Sequence, residues 1–248
     1  MNPDSLYNTL STRAIGDLLS LALAMGIAAV AFTYIRRALS DESWLTSSDL
    51  WRQVVLLFSI ALFFVYIDIT YEIEFYKGEN SAVKKIEISE DIFEKSTFLP
   101  RIRLLLLLPI DLIGMGLMAS LFGVLLVFGT NKNYWSGPST STSLEVMYLL
   151  ALTASWHFVM IGWWLVYGLT ALDVTLALWD VILHASFSVV EIITILIIRR
   201  IRNSDWGLRN SNLVAWSATL LYSSVLITLY AVRLWDYSTR FIRLVISN

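Results

Sequence analysis

The chain has 248 residues, 57% of them apolar, a mean hydropathy of +0.67 and a formal net charge of −2. A soluble domain holds about 45–50% apolar residues, so this composition points to a polytopic, all-α integral membrane protein. The small net charge argues against a nucleic-acid partner, and the lack of cysteine excludes disulfides, iron–sulfur clusters and thiolate metal sites.

The N-terminal stretch MNPDSLYNTLSTRAIGDLL carries one Arg and two Asp and lacks the pattern of a cleaved signal peptide. The first span is therefore expected to be retained. It covers about 14–35 and ends on Arg36-Arg37, with Asp17 in its first turns. A polar connection follows, in which Ser48 or Asp49 is expected to cap the next helix. Span 2 covers 51–73; Asp68 and Glu72, four residues apart, share a face near its end. Residues 74–98 form the one long polar loop, with partial alternation at 83–88 that allows a short strand.

Span 3 covers 101–128 and contains Pro109, which predicts a kink. Asp111 stands two residues later, beside carbonyls that the proline leaves without a donor. Gly116 and Ser120 form a small-xxx-small pair, so close helix packing is expected there. After a loop at 129–142 comes span 4, at 143–167, with Thr142 or Ser143 as cap and Glu145 in the first turn. It carries Trp156, His157, Trp163, Trp164 and Tyr167. A tight turn at 168–171 leads into span 5, at 172–201, which ends on Arg199, Arg200 and Arg202. Span 6 covers 211–232. The tail, 233–246, divides Leu234, Trp235, Phe241 and Val245 from Arg233, Asp236, Arg240 and Arg243, as an amphipathic helix does. It is expected to leave the bundle after Arg233 and lie along the membrane surface; the rival reading is a straight continuation of span 6, its apolar face covered by the 74–98 loop or a partner chain. No domain boundary or internal repeat interrupts residues 1–248. Basic residues divide almost evenly between the two sides of a six-span chain, so orientation stays open. Setting aside the 74–98 loop and the tail favours an outside N-terminus.

Span 5 holds four ionisable groups, Asp173, Asp180, His184 and Glu191, at spacings of 7, 4 and 7. At about 100° per residue, with Asp180 at zero, Asp173 and Glu191 fall near +20° and His184 near +40°. A single narrow polar stripe thus runs down an otherwise apolar helix. Charged groups in lipid cost roughly 2.5–3.5 kcal/mol each on insertion scales, so the stripe must face protein or water.

Both histidines of the chain lie in adjacent spans, 13 to 14 residues either side of the tight turn near 170. At a rise of about 1.5 Å per residue both sit roughly 20 Å from that turn, so they share one membrane depth. Three arrangements suit His157, His184 and Asp180. Two imidazoles and a carboxylate match a transition-metal site. Two neutral imidazoles match the axial ligands of a haem. An Asp180–His184 hydrogen bond, with His157 capping something else, is the structural alternative. Asp111, Asp173, Asp180, His184 and Glu191 together also suit a proton or ion path.

The segment Trp179-Asp180-Val181-Ile182-Leu183-His184-Ala185-Ser186-Phe187 resembles the last helix of microbial rhodopsins, where the pattern is Asp-Val-x-x-Lys-x-x-Phe-Gly. His184 stands where the resemblance requires lysine, and no lysine lies in any span, so no retinal Schiff base is expected. Asp180-x-x-x-His184 with a further histidine is similar in ligand type to a copper site of membrane monooxygenases. Three functions follow as expectations. The chain is a subunit of a larger membrane complex with a metal or haem site between spans 4 and 5. Alternatively it is a proton- or ion-coupled transporter or channel, or a purely structural subunit. The lipid bilayer is its partner on every reading, and other membrane subunits on the first and third.

Overall fold

The computed structural model describes residues 14–40, 47–77, 98–130, 140–171 and 174–246, and all of its regular elements are helices. These are α1 (Ala14–Ser40), α2 (Ser48–Lys77), α3 (Phe98–Thr130), α4 (Thr140–Ala171), α5 (Val174–Arg202), the short α6 (Asp205–Arg209) and α7 (Ser211–Ile246). Six of them, all but α6, are long and apolar enough to cross a membrane. The expected strand at 83–88 lies outside the described residues, as do Asp173 and the side chains of Asp17, Asp68 and Glu72.

In lipid a backbone must satisfy its own hydrogen bonds, which makes a long apolar segment helical. Side-chain burial then follows the helical period. On α2, Leu56, Ile60, Phe63 and Ile67 are buried, while Trp51, Val54, Phe58 and Val65 are exposed. The exposed apolar side is the lipid face. Helix α4 is the hub and packs against α3, α5 and α7; α2 packs against α1, α3 and α7. Helix α1 approaches α3 where Gly26 meets Phe122. A Cβ built on Gly26 would overlap that ring, so only glycine allows this approach.

Apolar burial gains little between helices that already lie in lipid. Packing and interhelical hydrogen bonds carry the association. Ser59 donates to Ser223 at 2.8 Å, joining α2 to α7, and the Trp216 indole donates to Ser48 at 2.6 Å, joining the same pair near their starts.

Four expectations are corrected. The cap of α2 is Ser47, whose hydroxyl accepts from Leu50 N at 3.3 Å; Ser48 is instead the acceptor for Trp216. Helix α4 begins at Thr140 rather than 143, so Glu145 is not in its first turn. Gly116 and Ser120 do not mediate packing within the bundle. Both are exposed, and a Cβ on Gly116 would meet nothing within 4 Å. The α3–α4 approach is made instead at Gly114, next to Trp156 and Val159. The tail is helical but not a separate surface helix, since α7 runs unbroken from Ser211 to Ile246. Its sequence around Arg233, YAVRLWDYST, has no glycine or proline to end the ladder. Trp235 is 74% exposed on this extension.

Candidate functional site

The polar stripe of α5 points into the protein. Asp180, His184 and Glu191 are each 1% exposed or less, and Ser188 and Thr194 continue the same buried face. On the opposite side of the helix, Trp179, Ile182, Val189, Val190 and Ile193 are exposed. Asp111 on α3 is also buried. The structure thus buries every described member of the predicted set. It brings His157, His184 and Glu191 together and leaves Asp180 one turn from His184 along α5.

The centre of the site is a direct contact between the two histidines. His157 Nδ1 on α4 lies 2.8 Å from His184 Nδ1 on α5, and both rings are buried. The other nitrogen of His157, Nε2, lies 3.7 Å from Glu191 Oε1. Glu191 therefore meets the histidine of the neighbouring helix, although it is two turns from His184 on its own helix. The short α4–α5 turn makes the helices antiparallel. A step up one is then a step down the other, so residues equidistant from the turn meet.

Aromatic rings fix the two imidazoles. Phe187 stacks on His157 at 5.8 Å between centroids, with 23° between the planes. Trp156 meets His157 edge-on at 5.1 Å and His184 at 5.4 Å, and is itself held by Phe63 of α2 at 5.0 Å. Thr153 lies one turn from His157 and beside the Glu191 carboxyl, and Tyr222 of α7 lies within electrostatic reach of the same carboxyl. Among the described residues, Ser188 Oγ, Thr219 Oγ1 and Tyr222 Oη have no hydrogen-bond partner.

A separation of 2.8 Å between ring nitrogens is a hydrogen-bond length. One Nδ1 carries the proton and the other accepts it, so the tautomers of the two rings are coupled. Two imidazoles on one tetrahedral ion, with bonds of about 2.0–2.1 Å, place their nitrogens roughly 3.3 Å apart. Axial haem ligands stand across the iron, about 4 Å apart. As placed, the two rings are in direct hydrogen-bond contact. Among the described residues no group of three or more His, Cys, Asp or Glu is arranged to hold a metal.

A second buried polar cluster has no counterpart in the sequence reading. Arg52 Nη2 of α2 lies 2.8 Å from Glu145 Oε2 of α4, and both side chains are fully buried. Gln53 Nε2 donates to Glu145 Oε1 at 2.6 Å, and its own Oε1 accepts from the Tyr34 hydroxyl of α1 at 2.7 Å. Asp49, 35% exposed, lies 3.7 Å from Arg52 Nε. Three helices are thereby joined near one end of the bundle. From sequence, Arg52 reads as a flanking basic residue and Glu145 as a helix-start acid. The observed helix starts at Ser48 and Thr140 place each several residues inside its helix, which the expected span boundaries hid.

Comparison with protein-family models, with curated proteins and with solved structures finds no match.

Proposed function

We propose that this integral membrane protein is a proton-conducting transporter or channel whose central element is the chain Glu191–His157–His184. The observation that carries this reading is the 2.8 Å Nδ1–Nδ1 contact, continued by the 3.7 Å approach of His157 Nε2 to Glu191. These groups can carry one proton in a balanced pass, after which Glu191 takes up a new proton and both rings turn to restore their tautomers. Protonated Glu191 gives its proton to His157 Nε2 while the Nδ1 proton of His157 passes to His184 Nδ1. Glu191 is left as carboxylate, His157 neutral with its proton on Nε2, and His184 as imidazolium. His184 then gives the proton of its Nε2 to the Asp180 side, the buried carboxylate one turn along α5. Movement of Glu191 by about 1 Å brings it within hydrogen-bond reach of His157.

Imidazole suits this role because each ring has two nitrogens and can take a proton on one side while releasing it on the other. The surroundings suit it as well. Packed aromatic rings hold the imidazoles in register, and Asp180 extends the buried face of α5 one turn beyond His184. Ionisable groups inside a membrane protein mark ion and proton pathways.

The test is flux. Reconstituted protein in liposomes, with a pH-sensitive dye inside and an imposed potassium diffusion potential, should pass protons. Glu191→Gln and His157→Ala should each lower the rate at least tenfold, while Trp216→Phe should leave it unchanged. Absence of flux in the wild type, or full flux in both variants, overturns the proposal.

A further inference from the structure

The connection between α5 and α7 presents a surface distinct from the buried relay. Arg199, Arg200 and Arg209 are exposed and Arg202 is half-buried, with Asp205 the one acid among residues 199–210. No described acid forms an ion pair with any of the four. Between them stand two large apolar side chains turned outward, Trp206 and Leu208, both more than half exposed.

The backbone of this connection is fixed by its own bonds. Ser204 N donates to Ile201 O at 3.0 Å, and the Ser204 hydroxyl accepts from Gly207 N at 3.1 Å, capping α6. Asn210 N closes α6 on Trp206 O at 2.9 Å, and Val214 N donates to Asn210 O at 3.0 Å to begin α7. Gly207 packs against the Ile201 carbonyl so closely that a Cβ there would overlap it. These constraints hold α6 against the end of α5. The turn therefore offers arginine and aromatic side chains from a defined platform.

We infer that this platform, Arg199, Arg200, Arg202 and Arg209 around Trp206 and Leu208, binds the anionic headgroups of an acidic phospholipid leaflet. The argument is charge and depth together. The arginines stand at the end of a span and just beyond it, at headgroup level. Guanidinium forks match phosphate oxygens in pairs. Tryptophan favours the same interfacial layer, and leucine enters the acyl boundary. Basic side chains next to a span are drawn to the negatively charged cytoplasmic leaflet. The α5–α7 connection therefore faces the cytoplasm, which the divided basic residues of the whole sequence left open.

Two experiments test this. The full-length protein in neutral detergent is titrated with phosphatidylglycerol, phosphatidylcholine or inorganic phosphate, and its thermal unfolding midpoint is read. Phosphatidylglycerol should raise the midpoint by several degrees and the other two should not. The variant R199Q/R200Q/R202Q/R209Q should lose most of that rise. An equal rise with phosphatidylcholine, or with free phosphate, overturns the assignment, as does a rise retained in the variant. Because the chain has no cysteine, Asn203→Cys gives a single label site at the exposed turn. In expressing cells it should react with a membrane-impermeant maleimide only after permeabilisation. Labelling of intact cells overturns the cytoplasmic placement.

Discussion

Removing one partner of the Arg52–Glu145 pair should destabilise the bundle more than removing both. The two side chains are fully buried and 2.8 Å apart. Breaking a buried pair from one side leaves an uncompensated charge and costs about 3–5 kcal/mol, while replacing both with apolar groups of similar volume is often neutral or stabilising. The structure ranks the two single variants. In Glu145→Met, Arg52 keeps Asp49 at 3.7 Å, a partly exposed fallback, so the loss should fall near 3 kcal/mol, the low end of that range. In Arg52→Met, Glu145 keeps, among the described residues, only the neutral Gln53 donor at 2.6 Å, so the loss should approach 5 kcal/mol, the high end. The double variant should fall about 1–2 kcal/mol below wild type, since methionine fills both volumes without charge but leaves the buried Gln53 Nε2 without its acceptor. Equilibrium unfolding in mixed micelles under rising denaturing detergent measures all four proteins as one double-mutant cycle. A double variant as unstable as the sum of the singles would refute the reasoning. So would a Glu145→Met loss under about 1 kcal/mol, because either result means the charges do not depend on each other.

Gly26→Ala should loosen α1 from α3, at about 1–3 kcal/mol for overpacking. Phe122→Leu should recover part of that loss in the double variant, since the obstructing group is a side chain; absence of recovery would place the strain elsewhere. Ser59→Ala removes the 2.8 Å bond to Ser223 and should cost about 0.6 kcal/mol, the average for interhelical bonds in membranes. A loss well above about 1.7 kcal/mol in the same unfolding assay would mean that Ser59 does more than bridge α2 to α7.

The fold was legible because lipid leaves few choices. A run of twenty apolar residues with charged ends has to be a helix, and the six runs stand apart in the sequence. The α5 stripe was legible for a related reason. Ionisable residues at spacings of 7, 4 and 7 share one face whatever packs against it, and Asp180, His184 and Glu191 are all buried. The tight α4–α5 turn also brought the two histidines to one depth. Their direct contact was not legible, because the rotation of α4 depends on α2 and α7 as well as on α5. Arg52 and Glu145 were missed for the same reason. They are 93 positions apart, on helices whose facing sides no local pattern reveals. The Gly116–Ser120 pair shows the converse. Small residues on one face permit close approach, but they do not say which helix approaches. The tail shows that an amphipathic pattern names two faces without marking where a helix must turn.

Helix α4 carries both polar clusters, and this ties the stability of the bundle to the geometry of the proposed relay. Glu145 and His157 are twelve residues apart, about 18 Å along the axis. The Arg52–Glu145 pair sets the rotation of α4 against α2, and the 2.8 Å histidine contact depends on the rotation of α4 against α5. A side chain ends about 6 Å from its helix axis, so a rotation of roughly 20° moves it about 2 Å. That displacement takes the two Nδ1 atoms out of hydrogen-bond range. On the proposed conduction, the double methionine variant is expected to keep most of its stability and pass protons more slowly than wild type, because packing without directed bonds leaves α4 freer to turn. Flux in the same liposome assay measures this. Equal flux in the two proteins would mean that the Phe187 and Trp156 contacts alone hold the imidazoles in place, and that the buried ion pair serves only to join α2 to α4.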